Sequence, residues 1–529
     1  MRKLLTMSTQ NKKSNPNTDI KQHRKNTCVF RDPIHGLITV YPWECALIDT
    51  DEFHRLRRIH QLSMTYLVYH GAEHTRFGHS IGVMHIAGRV MDHLRNFSPL
   101  NDLNDDDFFE KKALVRMAAL LHDIGHGCYS HVGEGENSIY PNLVDPINGE
   151  TVSGHEAYTR CIIKERLSTI IESFWPRDKY QMVEAILQIL SQSSSDPVFR
   201  FFDDIISGQL DCDKMDYLLR DSHYCGVEYG VYDIDKLIHS LRVGEISGNH
   251  VLAISQNGIQ AVEEFVLARY WMFIQVYFHK DRRLFDYYLS SFMKEYLTLE
   301  VEKTGKYPVN PEHYLKLDDS KIDCAIQHYA RLHPDRVTKK ICYFANRLFS
   351  RKHHKVVFNP PYVHYNPNSG EEREAYKRLR FVCNHIKVPE NTSDDLCIYV
   401  DLATGSTAKH MFSVKLYTEE QSPDLQPDAE PAQLLPAIPV VSKHDASIHP
   451  IQDYSFTLRS ISDRKIGILR IYADDIIAEE IQNKCQMLFS DEYTSYVIEM
   501  EKTQKELDEI TKKQKALTTK LNEMKDKLS

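Results

Sequence analysis

The sequence predicts a mainly α-helical protein with a smaller α+β region towards its C-terminus and a long terminal helix. Apolar residues recur at helical spacing, first at 83, 86, 90 and 94 and then at 114, 117, 121 and 124. The segment 263–289 is a long amphipathic run that is rich in aromatic residues. After residue 499, apolar residues alternate at spacings of three and four, which is typical of a coiled coil.

Length and composition limit the class of protein. A chain of 529 residues predicts two or three folded units, and its 42% hydrophobic residues are enough for a core. No apolar run reaches the ~18–20 residues that span a bilayer. The 11 cysteines contain no CxxC pair, which suits the reducing cytoplasm. A net charge of −9 disfavours nucleic acid as the main ligand, and we expect no membrane partner.

Changes in composition predict four regions. Residues 1–27 are polar and predicted to be disordered, 28–300 form a helical domain, 301–475 an α+β region, and 476–529 a long helix with a coiled coil. The segment 419–442 has five prolines and several acidic residues, which predicts an exposed loop. The segment 141–154 is also predicted to be a loop, and CIYVDLA at 397–403 a strand. The runs YSFTLRS and KIGILRIYA, split by ISDR, predict a β-hairpin.

The terminal helix carries a heptad seam, with charged residues between its members. Two seam positions, Thr503 and Gln514, are polar. The pattern favours a self-associating coiled coil, and the alternative is a helix that lies on its own domain. The seam consists of Met500, Thr503, Leu507, Ile510, Gln514, Leu517, Leu521, Met524 and Leu528.

Three separated elements offer ligands for one divalent cation. His79 lies near the start of one predicted helix, and His122–Asp123 ends another in AALLHDIGHGCYSH. Asp213 belongs to LDCDKMDYLLRD. Imidazoles and carboxylates can hold a divalent metal with coordination positions left open, which favours a hydrolase over a structural metal site.

A His–Asp dipeptide is a weak signal by itself, since roughly one or two are expected by chance. The chain has a second one at His444–Asp445, in a polar stretch without an apolar helix, and we assign it no role. The first pair differs because it opens a turn that is broken by two glycines and followed by His126 and His131.

The third element combines several ligand types. On a helix, Asp213, Tyr217 and Asp221 share one face, and Lys214 lies next to the first aspartate. This set suits a polyphosphate and a sugar hydroxyl, whereas the alternative is a salt-bridged exposed helix. Co-occurrence with the other two elements favours the ligand site. Arg76 lies three residues before the first histidine ligand, close enough to contact a metal-bound phosphate.

These ordered motifs resemble the SAM-and-HD-domain dNTP triphosphohydrolases and their bacterial relatives, without the SAM domain. The resemblance covers residues 28–290. It implies that the helical domain predicted over 28–300 is an HD phosphohydrolase domain with an HD-domain helical core. Its motifs are VFRDPIHGLITV, LIDTDEFHRLRRIHQL, TRFGHSIGV, LLHDIGHGCYSH, GHEAY, DCDKMDYLLRD and ARYWMFIQVYFHK.

The resemblance implies a role for each matching residue. The implied metal ligands are His79, His122, Asp123 and Asp213. The implied catalytic residues are His126, His131 and His155. The implied substrate contacts are Arg76, Lys214, Tyr217 and Arg269 at the phosphates, and Gln61, Leu62, Asp221 and Tyr277 at the sugar. In the family the Gln–Leu step packs under the sugar and leaves little room for a 2′-hydroxyl, which implies deoxynucleotides.

The chain departs from the family pattern at two places. Phe278 replaces a glutamine that helps to hold the substrate in relatives. In the allosteric region Asp49 and Arg57 match guanine-recognising residues, but His54 replaces a glutamine and Arg31 an asparagine. The resemblance therefore implies an activator site whose nucleotide need not carry guanine.

The implied reaction is metal-dependent hydrolysis of a dNTP at the α-phosphorus to deoxynucleoside and inorganic triphosphate. His131 is expected to protonate the leaving 5′-oxygen. The ligand set suits Mn, Mg, Fe, Ni, Co or Zn. Expected partners are the dNTP, an activating nucleotide, further copies of the chain in a tetramer or dimer, and a partner protein on the coiled coil.

Two other functions stay open on the sequence. One is an HD phosphohydrolase acting on another substrate, such as a nucleoside monophosphate, (p)ppGpp or nucleic-acid ends. The other is a nucleotide-sensing scaffold. The Gln61–Leu62 step and Asp221 favour dNTPs, and the intact ligand set disfavours a scaffold. Lowering the dNTP pool would serve nucleotide balance or antiviral and antiphage defence.

Overall fold

The computed structural model divides the chain into two compact units. It describes residues 27–134, 138–175, 181–350, 352–365, 370–386, 397–405, 413–414, 435–436, 438–445, 447–462 and 465–526. The first unit comprises the described residues up to 350 and those from 413 to 459, and the rest form the second. The predicted disordered segment, apart from Thr27, and residues 419–434 and 437 of the predicted proline-rich loop lie outside the described residues.

Helices dominate, so the prediction of a mainly α protein is confirmed. Among the described residues, every helix is too short or too polar to cross a bilayer. The helices are α1 (Pro42–Ile48), α2 (Asp51–Arg55), α3 (Arg76–Leu94), α4 (Asp105–Leu121), α5 (His155–Ile162), α6 (Ser168–Phe174), α7 (Met182–Leu190), α8 (Phe201–Ser207), α9 (Cys212–Cys225), α10 (Ile234–Ser240), α11 (Ile259–Met272), α12 (Lys280–Tyr296), α13 (Pro311–Tyr314), α14 (Asp319–Arg331), α15 (Lys339–Ser350), α16 (Gly370–His385), α17 (Phe456–Ser462), α18 (Ala478–Phe489) and α19 (Asp491–Asp526).

The strands form small sheets. They are β1 (Cys28–Asp32), β2 (Gly36–Val40), β3 (Asn142–Val144), β4 (Thr151–Ser153), β5 (Leu241–Ile246), β6 (Asn249–Ser255), β7 (Lys355–Phe358), β8 (Val363–Tyr365), β9 (Ile398–Gly405), β10 (Ser413–Val414), β11 (Leu435–Pro436), β12 (Pro439–Val441), β13 (Ile448–Pro450) and β14 (Lys465–Ala473). In the first unit β1 pairs with β2, β3 with β4 and β10 with β11, and another sheet has the order β13-β12-β6-β5. In the second unit β14 pairs antiparallel with β7, β8 and β9.

The core of the first unit contains α3 and α4. Val83, Ile86 and Val90 of α3 and Met117 and Leu121 of α4 are buried, as their helical spacing predicts. The helix α4 begins at an Asn104 cap whose side chain accepts the amides of residues 106 and 107 at 3.0 and 2.9 Å. It ends at Leu121, so the His–Asp pair lies in the turn that leaves the helix.

The hairpin predicted from YSFTLRS and KIGILRIYA is wrong. Residues 456–462 form α17, because the Ser455 hydroxyl accepts the amide of Leu458 at 3.0 Å and caps the helix. The second run is the strand β14, whose long partner is β9 in register from Ile466–Gly405 to Ala473–Ile398. The segment 141–154 contains the short pair β3 and β4.

Candidate active site

One face of α9 supplies acidic and phenolic side chains to the site. The helix begins at Asp211, whose side chain accepts the amide of Lys214 at 2.8 Å, and ends at Gly226 in the left-handed conformation. Because the helix is continuous between these ends, Asp213, Tyr217 and Asp221 project from one face.

The four predicted metal ligands lie together, and we call them the metal cluster: His79, His122, Asp123 and Asp213. The Nε2 atom of His79 lies 3.0 Å from Asp213 Oδ1 and 3.5 Å from Asp123 Oδ2. The Nε2 atom of His122 lies 3.3 Å from Asp123 Oδ1 and 3.7 Å from Asp213 Oδ1. Donor atoms of His79, His122 and Asp213 lie close enough together to hold one metal ion.

The second nitrogen of each histidine ligand is already engaged. His79 Nδ1 lies 2.8 Å from Asp216 Oδ2, and His122 Nδ1 lies 2.7 Å from the Ala119 carbonyl oxygen. A carboxylate and a carbonyl only accept hydrogen bonds, so each Nδ1 donates, and in the neutral ring the lone pair lies on Nε2. This is how proteins orient histidines that bind metals.

The metal cluster fits a cation. Both Nε2 atoms are buried, and neither makes a hydrogen bond with any residue that the structure describes. Burial opposes charge on His79, but the carboxylates of Asp213 and Asp216 raise its pKa to about 10. The Asp213 side chain is 30% exposed, which leaves one side open to a substrate.

Asp216 is held by buried partners on three elements. It accepts two bonds from Arg220, at 2.7 and 2.9 Å, and lies 2.6 Å from His35 Nε2 in the turn between β1 and β2. Burial raises the pKa of Asp216, but the Arg220 guanidinium and the hydrogen bonds from His35 and His79 hold it well below its usual range. Gly82 makes room, since a Cβ there would lie 1.9 Å from the Asp216 carboxylate.

A second group, the histidine cluster, consists of His126, His131, His155 and Glu134. The rings of His126 and His155 stack at 3.8 Å, and His131 meets His126 edge-on at 4.8 Å. The Glu134 carboxylate lies between His131 and His155, 2.8 Å from His131 Nδ1 and 2.5 Å from His155 Nδ1. All three predicted catalytic histidines therefore lie together. They adjoin the metal cluster at Asp123, whose Oδ1 atom is 3.3 Å from His126 Nε2.

The members of the histidine cluster differ in their preferred charge. Burial and the nearby Arg76 guanidinium lower the pKa of His126 well below its usual range. Burial also opposes charge on His155, but Glu134 raises its pKa overall. The pKa values of these two imidazoles are thus shifted in opposite directions. The His131 side chain is the most accessible of the three, at 56% exposed.

The predicted sugar residues are linked by hydrogen bonds. Asp221 lies 2.7 Å from His74 Nε2 and accepts the Tyr277 hydroxyl at 2.7 Å. The backbone amide of Gln61 donates to the His74 carbonyl at 3.0 Å, and the next residue, Leu62, is buried. Gln61 Oε1 is buried and has no hydrogen-bond partner among the described residues, so it is available to a ligand donor.

The predicted phosphate residues bind acidic groups or lie near aromatic ones. Arg76 donates to Asp123 and, at 2.9 Å, to the Ser130 hydroxyl. Lys214 donates to Asp211 and, at 3.2 Å, to the Gly208 carbonyl. The buried Arg269 lies 5.6 Å from the Phe273 ring, and its charge acts on the Tyr217 hydroxyl.

The residues predicted to bind an activator lie around α1 and α2. Asp49 is exposed at the end of α1, and His54 belongs to α2. Arg57 follows α2, donates to His54 Nδ1 at 3.3 Å and lies 3.4 Å above the Phe77 ring. Phe77 is next to Arg76, so this group adjoins the phosphate residues.

Comparison with known proteins agrees with this geometry. The HD domain model matches residues 76–218, and the HD associated region matches 232–378. The uncharacterized protein YwfO of Bacillus subtilis is 33% identical over 370 residues, which are 66% of this chain and 75% of that protein. The chain belongs to the HD-domain family.

Other HD-domain relatives agree with the predicted resemblance. The deoxynucleoside triphosphate triphosphohydrolase SAMHD1 of Gallus gallus is 29% identical over 333 residues, 57% of this chain and 52% of that protein. The crystal structure of a hypothetical protein from Aquifex aeolicus covers 87% of this chain and 99% of its own, with a TM-score of 0.61 and 27% identity. The resemblance to dNTP triphosphohydrolases is confirmed, although the match spans only about half of SAMHD1.

Several residues that orient the side chains of this site were not predicted from the sequence. Glu134 and Asp216 each lie three residues after a predicted site residue, and this spacing could have indicated them. His74 binds Asp221 across 147 positions, and the Tyr129 amide donates to Asp319 across 190, at 2.7 Å. Contacts over such separations leave no local signal in one sequence.

Proposed function

We propose that this protein is a metal-dependent dNTP triphosphohydrolase that releases deoxynucleoside and inorganic triphosphate. The proposal depends above all on one observation, the position of Asp221 between His74 and Tyr277. The backbone of His74 also accepts the backbone amide of Gln61, whose side-chain oxygen has no partner among the described residues. The confirmed family resemblance and the two adjacent clusters support it.

The metal cluster would hold the cation through His79, His122, Asp123 and Asp213. A bound divalent cation supplies a Lewis acid for an α-phosphate oxygen and for the attacking water. Asp216 and the Ala119 carbonyl keep the histidine lone pairs directed at it.

The triphosphate would bind to the cationic side chains around the clusters. Arg76, Lys214 and Arg269 offset its negative charge, with phosphate oxygens taking the place of carboxylate partners for the first two. The Tyr217 hydroxyl, on the same helical face as Asp213, donates a further hydrogen bond to phosphate.

Hydrolysis breaks the bond between the α-phosphorus and the 5′-oxygen, and this oxygen must receive a proton. His131 is the donor in our proposal because it is the most accessible imidazole of the histidine cluster and is oriented by Glu134. His155 shares that carboxylate and is the imidazole with the raised pKa. It can therefore hold a proton until His131 donates one to the 5′-oxygen.

The sugar would lie against Gln61, Leu62 and Asp221. The 3′-hydroxyl donates its one hydrogen to Asp221 or to the free Gln61 oxygen, and Tyr277 holds the carboxylate in place. The buried Leu62 packs under the ring and leaves little room for a 2′-hydroxyl. A site built to bind one hydroxyl rejects analogues that leave it unpaired.

Product analysis by chromatography tests the proposal. Purified protein with Mn²⁺ or Mg²⁺ is incubated with each dNTP, each NTP, a nucleoside monophosphate and (p)ppGpp. We expect deoxynucleoside plus triphosphate, lost in the His122→Ala, Asp123→Ala variant. The second His–Asp pair provides the matched control, since His444→Ala, Asp445→Ala should retain full activity. Turnover of another nucleotide class instead of dNTPs contradicts the proposal.

We further propose that a nucleotide bound at Asp49, His54 and Arg57 activates the enzyme, and that the active form is an oligomer. Each dNTP is therefore also assayed together with GTP and the other dNTPs, and Arg57→Ala should lower the gain in the mixture. Full activity of a protein that is monomeric in solution contradicts the proposed oligomer.

The proposed hydrolysis of dNTPs would lower the dNTP pool for nucleotide balance or antiviral and antiphage defence.

A further inference from the structure

The seam of α19 is exposed along its described length. Met500, Leu507, Ile510 and Leu517 are 56%, 56%, 61% and 67% exposed. Large apolar side chains at a and d positions of a heptad are normally buried against another helix. Among the described residues nothing covers most of this stripe, so it is available to pair with another helix.

We propose that the partner is α19 of a second copy of this chain, bound in the antiparallel direction. In one register Met500 lies opposite Leu517 of the other copy and Leu507 lies opposite Ile510. The same register puts the two polar seam residues, Thr503 and Gln514, opposite each other. This inference is independent of the reaction proposed above.

Polar matching selects this register among antiparallel ones. Thr503 already donates its hydroxyl to the Glu499 carbonyl at 2.9 Å, so its oxygen can accept a hydrogen bond from the Gln514 side-chain amide. A shift by one heptad would put Thr503 opposite Leu507 and Gln514 opposite Tyr496 in one direction, and Gln514 opposite Ile510 in the other. In either shifted register the Gln514 side-chain amide loses the Thr503 oxygen as its acceptor.

Charge selects the antiparallel direction over the parallel one. The g positions beside the seam are Glu499, Glu506 and Lys513, and position 520 is also a lysine. Antiparallel helices bring g residues opposite g residues, so Glu506 meets Lys513 twice in the dimer and position 499 meets 520. Parallel helices would instead put Glu506 opposite Thr511, with no charge pairing. A one-heptad shift would place Lys513 opposite Lys513, or Glu506 opposite Glu506.

The direction has a consequence for shape. The chosen register is centred between residues 508 and 509, and α19 begins at Asp491. At 1.5 Å per residue, the two helix starts would lie about 50 Å apart, at opposite ends of the coil. A parallel coil would hold the two starts side by side.

Charge reversal in the full-length protein tests the pairing. In Glu506→Lys the new lysine meets Lys513 of the other copy, and in Lys513→Glu two acidic residues meet. Each variant should weaken association in sedimentation velocity by at least about tenfold. The double variant, and an equimolar mixture of the two single variants, should restore it. Lys512→Glu is the matched control, because that position faces away from the seam.

Crosslinking reads the direction independently of any other interface. With a short bismaleimide, Thr503→Cys combined with Gln514→Cys should yield crosslinked dimer above the wild-type background, whereas Thr503→Cys alone should not. Crosslinking of the single variant would show a parallel coil and overturn the proposal. Absence of both the crosslink and the charge-reversal effect would also overturn it.

Discussion

The metal cluster and the histidine cluster contain the same kinds of residue and adjoin at Asp123, but their imidazoles are held differently. In the metal cluster each histidine donates to an outside acceptor, Asp216 or the Ala119 carbonyl, and directs its Nε2 lone pair inwards. In the histidine cluster two Nδ1 atoms converge on a carboxylate of the cluster itself, Glu134.

This difference shows that the groups around both ring nitrogens together decide the chemistry of an imidazole. A nitrogen that donates away from the site makes the ring a lone-pair donor for a cation. In both clusters a carboxylate favours the protonated ring and raises the pKa, that of His79 as well as that of His155. At His79, however, Nε2 faces the other metal ligands, so a metal ion can take the place of the proton. Residue type alone does not separate these two uses.

The largest effect is expected from His79→Ala, which removes a buried member of the metal cluster. We expect bound metal, measured by plasma mass spectrometry after saturation with Mn²⁺, to fall from about one ion per chain to near zero. Turnover should fall to background. His250→Ala, in β6, is the control. Full metal retention in His79→Ala would contradict the assignment.

Glu134→Gln should separate the clusters by leaving metal content unchanged while kcat falls by about 10²-fold. The carboxylate raises the pKa of His155 against burial, so the protonated ring persists to higher pH in the wild type. Without that charge the proton is lost at lower pH. The alkaline limb of the kcat profile should therefore move to lower pH, and an unchanged profile would exclude this role.

Asp216→Asn should weaken metal binding without removing a ligand. Loss of the carboxylate that orients His79 is expected to raise the Kd for Mn²⁺ by about 10–100-fold in isothermal titration. Arg220 also loses a buried ionic partner, so the melting temperature should fall. Asp92→Asn, which breaks an exposed pair with Lys112 at 2.6 Å, should change neither quantity. Equal metal affinity in both variants would refute the orienting role.

The smallest effect is expected from Asp319→Asn in α14. Asp319 accepts the Tyr129 amide at 2.7 Å and lies 2.7 Å from His60 Nδ1, and so supports the turn just before His131. The free energy of unfolding, measured in urea, should fall by about 1–3 kcal/mol. Metal binding should be unchanged and kcat only slightly lower. A loss of bound metal in this variant would show that the support of the histidine cluster also affects the metal cluster.

Local sequence patterns were sufficient for much of the fold and the site. Helical spacing predicted α3, α4 and the shared face of Asp213, Tyr217 and Asp221, because a continuous helix converts spacing into direction. The alternation in YSFTLRS wrongly predicted one strand of a hairpin. The Ser455 cap favours a helix there, and the strand β14 pairs instead with the distant β9.

The chemical types of the site residues and the heptad seam of α19 were thus readable from the chain alone. Folding supplied what orients them. Asp216 reaches His79 across 137 positions, His74 reaches Asp221 across 147, and both contacts exist only after whole elements have packed. A ligand's identity is a local property of the sequence, whereas the direction of its lone pair depends on a hydrogen-bond partner that tertiary packing brings to it.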